Sequence, residues 1–124
     1  YTPQDRLIPY LSRFDAGFCF YDFNQLKRNF NYQSSPSGKM YAYMAAGVPT
    51  IGSDIVGLSP IRKFDAGILL QEHSPAKICA AIDTLRQGHA RYRQGCFQAA
   101  KSFDFDAHAE PYKKYLFEAM ANAS

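Results

Sequence analysis

Residues 34–54 read SSPSGKMYAYMAAGVPTIGSD, and this stretch predicts a loop, a short helix, a stop and a strand. Ser35, Pro36 and Ser37 form a helix-start signal, because serine caps free backbone N–H groups and proline is tolerated in the first turn. About two turns of helix then carry apolar surface on one side, through Met40, Tyr43, Met44 and Ala46.

The same stretch also predicts where the helix ends. Gly47 is suited to the left-handed conformation that closes a helix, and Pro49 prevents the helix from continuing. Proline fits only the first position of a strand, so we expect a strand that starts at Pro49 and reaches Asp54.

The start of this helix is a candidate anion site. Free N–H groups carry a partial positive charge there, Gly38 leaves room for an approaching phosphate, and Lys39 adds a full charge. The plainer alternative is that the segment only starts a helix and that Lys39 is a solvated side chain. The sequence argues against a mononucleotide P-loop, because Gln33 stands where that motif requires glycine and Met40 follows the lysine.

Length and composition predict one globular domain. The chain has 124 residues, 47% of them hydrophobic and 20% charged, which is enough for a core and gives no sign of disorder. The net charge of +3 comes from scattered basic residues, so we expect no nucleic-acid partner. The chain does not begin with Met and shows no signal peptide, so we expect a cytoplasmic fragment, or one peripheral to the membrane in a longer protein.

Cysteines and histidines predict neither disulfides nor a metal site. Cys19 lies in an apolar strand candidate and Cys96 on a helix face, so both are expected to be buried, reduced thiols. The three histidines lack metal-ligand spacing among themselves and with the cysteines. We therefore expect no metal and no other cofactor.

Strands and helices alternate along the chain. Thr2 and Pro3 predict the cap and the first residue of a helix. Residues 17–21 predict an apolar strand, and residues 22–33 predict a loop that faces a ligand. Ser59 and Pro60 predict another helix cap followed by proline, and residues 68–70 predict a third strand. Three helices follow, over residues 75–87, about 89–102 and about 106–121. The pattern predicts an α/β fold, a partial Rossmann-like three-layer α/β domain over residues 1–124, with a short parallel sheet of about three strands flanked by helices.

The last three helices carry apolar stripes that we expect to pack in the core rather than to contact a ligand. These stripes comprise Ile78, Ala81, Ile82 and Leu85, then Tyr92, Cys96, Ala99 and Phe103, and finally Tyr112, Tyr115, Leu116, Ala119 and Met120. A sheet of only about three strands leaves an unpaired edge, so self-association of the chain is also expected.

The run SPSGKMYAYMAAGVPTIGSD resembles a segment of the GT-B-fold glycosyltransferases of group 1, whose pattern is S-P-x-K-x-x-E-Y-x-A-x-G-x-P-V-I-x-x-D. That segment belongs to the C-terminal, nucleotide-sugar-binding lobe of these enzymes, and the chain looks like the later part of that lobe. The resemblance implies transfer of a sugar from a nucleotide-diphosphate sugar to an acceptor hydroxyl. It implies donor-binding roles for Ser35, Ser37, Gly38, Lys39 and Tyr43.

The sequence also departs from the family's pattern. Ala42 stands where an acid commonly holds the ribose, and Ser34 stands where the first glutamate of the family's E-x(7)-E form lies. Some branches lack the second acid and keep the lysine and the tyrosine, here Lys39 and Tyr43. Gly38 resembles a one-residue insertion before the lysine.

The resemblance places the site for a sugar or lipid-linked acceptor, and the general base, in an N-terminal lobe outside this chain. The chain alone is therefore expected to be inactive. A second interpretation stays open: a non-catalytic α/β module that binds a nucleotide or a protein partner. The missing acids favour that module, and the Ser-Pro-Ser-Gly-Lys helix start favours the transferase.

Overall fold

A computed structural model describes residues 2–123, apart from the side chains of Gln4, Tyr32 and Phe105. It is an α/β domain in which helices flank a three-stranded parallel sheet. The strands are β1 (Gly17–Cys19), β2 (Thr50–Ser53) and β3 (Gly67–Leu70). The helices are α1 (Gln4–Leu11), α2 (Phe23–Leu26), α3 (Phe30–Ser34), α4 (Gly38–Ala46), α5 (Ser59–Lys63), α6 (Pro75–Gln87), α7 (His89–Ser102) and α8 (Phe105–Asn122).

The sheet has the order β1-β2-β3, with Ile51 at its centre opposite Phe18 on one side and Ile68 on the other. Consecutive parallel strands need a crossover, and the helices between the strands provide it. The predicted fold class, a partial Rossmann-like α/β domain with three strands, is confirmed.

Two apolar clusters cover the two faces of the sheet. One cluster joins α4, α5 and α7 to the sheet through Cys19, Met40, Met44, Leu58, Ile61, Ala66, Cys96 and Ala99. The other joins α6 to the opposite face through Ile51, Ala81, Leu85 and Tyr92. Because α7 contributes Tyr92 to one cluster and Cys96 to the other, this helix packs in both clusters.

The predicted stop of α4 is confirmed. Gly47 adopts φ +67° and ψ 33°, the left-handed conformation that costs glycine little. The ring of Phe97 occupies the space that a Cβ atom at Gly47 would need, and Arg93 Nη1 donates to the Gly47 carbonyl over 3.2 Å. The end of α4 therefore also fixes the position of α7.

Several local predictions are wrong. The segment 22–33, expected to be a loop, contains α2 and α3, because Asp22 and Asn29 each cap a short helix by accepting a backbone N–H. Thr2 is not the cap of α1: the extended Pro3 (φ −56°, ψ 148°) precedes a helix that begins at Gln4. Ser59 does not cap α5 either, since α5 begins at Ser59 directly after a 3₁₀ turn, Val56–Leu58.

The most consequential error concerns α8. Its apolar stripe was expected to be core, but the side chains of Tyr112, Tyr115 and Leu116 are 71%, 70% and 59% exposed. Among the described side chains of α8, only Ala109 is buried. The apolar stripes of α6 and α7 do reach the core through Ala81, Leu85, Tyr92, Cys96 and Ala99.

Candidate functional site

The carboxyl ends of the three strands form one edge of the sheet, and both the crossover helix α4 and helix α6, which follows β3, begin beside it. The start of α4 is attached to β1, since Cys19 Sγ donates to Ser37 Oγ over 3.3 Å and both residues are buried. Open α/β sheets bind their ligands at this edge, where the N-termini of crossover helices meet the strand ends.

The predicted serine cap of α4 is wrong. Ser37 occupies the cap position with extended backbone, but within residues 2–123 its side chain accepts no N–H of the first turn. Its hydroxyl accepts the Cys19 thiol instead, whereas its carbonyl accepts the Tyr41 N–H over 3.4 Å. The first three N–H groups of α4 have no acceptor inside the helix, and they point out of its amino end.

Space and charge at the start of α4 both favour an anion. A Cβ atom built on Gly38 would meet no described atom within 4 Å. Lys39 is exposed and forms no ion pair with any described residue. A phosphate can therefore reach the free N–H groups, and a cation lies on the same turn to accompany it.

The start of α6 offers an internal comparison. This helix also begins at the carboxyl edge and also has an exposed lysine in its first turn, Lys77. Ser74 Oγ caps it by accepting the Lys77 N–H over 3.4 Å, and Pro75 has no N–H to donate. Each helix start thus carries an exposed lysine, but the cap residue of α6, Ser74, also donates to the Glu72 carboxylate over 3.2 Å, and α4 has more free donors.

The other two residues implied by the resemblance lie in different surroundings. Ser35 follows α3, and its carbonyl lies against Gly57, where the two backbones approach too closely for any Cβ atom. Tyr43 packs its ring over Gly17 at the amino end of β1. The structure therefore brings Ser37, Gly38 and Lys39 together, with Ser35 nearby, and leaves Tyr43 at the other end of the strand.

His73 is a residue at this edge that sequence reasoning missed. Its Nε2 lies 2.9 Å from Ser53 Oγ, which also accepts the Tyr21 N–H over 2.8 Å. Its ring packs between Phe20 and Phe23, with centroids 4.6 and 4.7 Å away. His73, which follows β3, thus contacts α2 and the carboxyl ends of β1 and β2. Its position just after β3 was the available signal, since the carboxyl-edge rule applies to every strand.

Two of the cysteines, Cys19 and Cys96, are buried. Burial raises the pKa of the Cys96 thiol to about 12, so it stays protonated at neutral pH. Cys19, at the edge itself, is buried and donates to Ser37. Within residues 2–123 no group of three or more His, Cys, Asp or Glu side chains is placed to hold a metal ion.

No protein-family model, curated protein or solved structure matches the chain. In the part that the structure describes, no helix combines the length and apolar character needed to cross a membrane. The resemblance to glycosyltransferases therefore depends on the sequence motif of residues 34–54 alone.

Proposed function

We propose that this chain is the donor-binding part of a glycosyltransferase, and that the start of α4 binds the diphosphate of a nucleotide sugar. The observation that carries the proposal is the open helix start: three outward N–H groups, an unobstructed Gly38 and an unpaired Lys39 within the described residues. A glycosyltransferase of this kind moves the sugar to a hydroxyl group of an acceptor. The acceptor is a sugar or a lipid-linked molecule that another lobe binds.

The geometry suits the chemistry of that reaction. When the bond between sugar and diphosphate breaks, negative charge builds up on the leaving diphosphate. Fixed N–H dipoles and a cation stabilise that charge most when they are already oriented, because no reorganisation is then needed. The first turn of α4 supplies the dipoles and Lys39 the cation.

Neither of the two positions that hold the ribose in the enzymes this chain resembles carries an acid here. Ala42 carries no acid, and the hydroxyl of Ser34 donates to the Phe30 carbonyl over 3.0 Å within α3. The diphosphate therefore supplies most of the affinity on this proposal, and the nucleoside contributes little through these two positions.

A second candidate function is a non-catalytic module that binds a protein partner. The exposed apolar side chains of Tyr112, Tyr115 and Leu116 on α8 favour it, because exposed apolar surface of this kind often marks an interaction site. The two candidates differ in their ligand, since a module that binds only a protein partner does not need the open start of α4.

Calorimetric titration with uridine and guanosine diphosphate tests the transferase. A charge-assisted contact is worth about 1.5–3 kcal/mol, so Lys39→Ala should weaken binding about ten- to a hundredfold. Lys77→Ala is the matched control, because it removes the lysine from the capped start of α6. Equal affinity in wild type and Lys39→Ala, or equal losses in both variants, would contradict the proposal.

A further inference from the structure

Strand β1 lies at one side of the sheet and presents unpaired backbone groups there. The Gly17 N–H donates to the Pro49 carbonyl, just before β2, over 2.9 Å. Successive residues of a parallel strand direct their backbone groups to opposite sides, so the N–H and C=O of Phe18 point away from β2. Among the described residues, β2 is the only strand that pairs with β1. The outer side of β1 is therefore able to pair with a further strand.

The carbonyls on either side of Phe18 point the same way. In a trans peptide the N–H points opposite to the preceding C=O, so the Ala16 carbonyl points outward because the Gly17 N–H faces β2. The Tyr21 N–H donates to Ser53 Oγ of β2, so the carbonyl of the preceding Phe20 points outward as well. Residues 16–20 thus present a continuous stretch of free strand edge.

The face of the sheet beside this edge is only partly covered. Helix α6 packs mainly on β2 and β3, and Phe18 on β1 is 45% exposed. A cavity of about 420 Å³ lies between α6 and the amino end of β1. It is lined by Ala16, Ile51, Ile82 and Leu85 and, at its polar side, by Asp15, Arg86 and His89.

The two ends of β1 carry complementary charges. Arg13, before the strand, and Asp22, after it, are both exposed, and neither forms an ion pair with a described residue. Asp15 also lies before the strand, but it lines the cavity together with Arg86 and His89. An antiparallel neighbour with the same sequence therefore brings an arginine to each free carboxylate.

The opposite edge of the sheet lacks these features. All four residues of β3 are half-buried, and Asp65, just before this strand, is already paired with Arg91 over 2.8 Å. A small apolar ligand fills the cavity beside β1 but leaves the strand edge unpaired. A second copy of the chain occupies both.

We propose that β1 pairs antiparallel with β1 of a second copy, about a two-fold axis at Phe18, to form one sheet of six strands, three from each copy. The two Phe18 residues lie opposite each other and exchange both N–H···O bonds. The register then places Phe20 of the second copy opposite Ala16, beside the cavity, and Asp22 of the second copy beside Arg13. Two-fold symmetry repeats each of these contacts.

Sedimentation velocity and amide hydrogen exchange of the whole chain over a range of concentrations test this pairing. We expect a dimer that forms as the concentration rises, and slower exchange of the Phe18 amide in the dimer. The Gly17 amide is the control, because it already donates to the Pro49 carbonyl within one copy. A monomer at every concentration, or Phe18 exchange that does not depend on concentration, would overturn the inference.

Substitution of Phe18 locates the interface. Phe18→Lys places two like charges directly opposite each other, so the dissociation constant of the dimer should rise at least about tenfold. Leu116→Ser is the matched control, because it removes an apolar side chain from the exposed face of α8. An unchanged dissociation constant in Phe18→Lys, or an equal rise in Leu116→Ser, would overturn the inference.

A charge exchange tests the register. Arg13→Glu and Asp22→Lys each place like charges side by side, so each variant alone should dimerise about two- to thirtyfold more weakly. An equimolar mixture of the two should recover the lost affinity, because every pair in the mixed dimer is again opposite in sign. A mixture no tighter than either variant would overturn the proposed register. Should a variant not fold, the exchange of the wild-type Phe18 amide decides the matter.

Discussion

Helices α4 and α8 carry similar apolar patterns and have opposite surroundings. In α4, Met40 and Met44 are at most 1% exposed, whereas Tyr112, Tyr115 and Leu116 in α8 are 59–71% exposed. The first helix lies between the sheet, α1 and α7; the second presents its stripe to the surroundings. Helical periodicity thus predicts a helix, but burial depends on whether another element lies opposite that face.

The largest expected effect comes from truncating the buried stripe. Met44→Ala removes a fully buried side chain from the cluster between α4 and the sheet, and such truncations cost about 2–5 kcal/mol of unfolding free energy. Urea denaturation followed by circular dichroism measures this loss. A change below about 1 kcal/mol would show that α4 is not packed as described.

A smaller effect is expected at the two ends of α4. Gly47→Ala forces a left-handed alanine, which costs about 1–2 kcal/mol, and its methyl group also meets the Phe97 ring. Gly38→Ala is the matched control, because its methyl group enters open space at the first helical position. Equal denaturation midpoints for the two variants would contradict the left-handed stop at Gly47.

The smallest effect is expected on α8. Leu116→Ser replaces an exposed side chain, so the unfolding free energy should change by at most about 0.5 kcal/mol. The same denaturation experiment measures it at a low and a high protein concentration. If the loss approaches that of Met44→Ala at the low concentration, the apolar face of α8 is packed within the chain and the comparison fails.

Most of the fold was predictable because its signals are local. Gly47, with Pro49 two residues later, is enough to stop α4, and Ser74 with Pro75 is enough to start α6. The alternation of apolar strands and helices then predicts the parallel sheet. Whether a helix face is buried depends on residues distant in the chain and could not be predicted, as the exposed stripe of α8 shows.

The candidate site also combines residues with local signals and residues whose contacts are distant in the chain. Gly38 and Lys39 were predicted as an anion site from the sequence, since both the anion chemistry of helix starts and the glycosyltransferase motif point to them, and that role stays a prediction. The side chain of Ser37 was misassigned because its partner, Cys19, is 18 residues away in the chain. His73 was missed because its contacts with Ser53 and Phe23 join segments that only the folded sheet brings together.

The central claim is that the open start of α4 binds a diphosphate, and amide titration of the ¹⁵N-labelled chain with uridine and guanosine diphosphate tests it most directly. The account predicts saturable shifts at the amides of Gly38, Lys39 and Met40 that weaken in Lys39→Ala. The amides of the first turn of α6 should shift much less, because Ser74 and Pro75 leave fewer donors there. Shifts confined to α7 and α8, or shifts at α6 equal to those at α4, would contradict it.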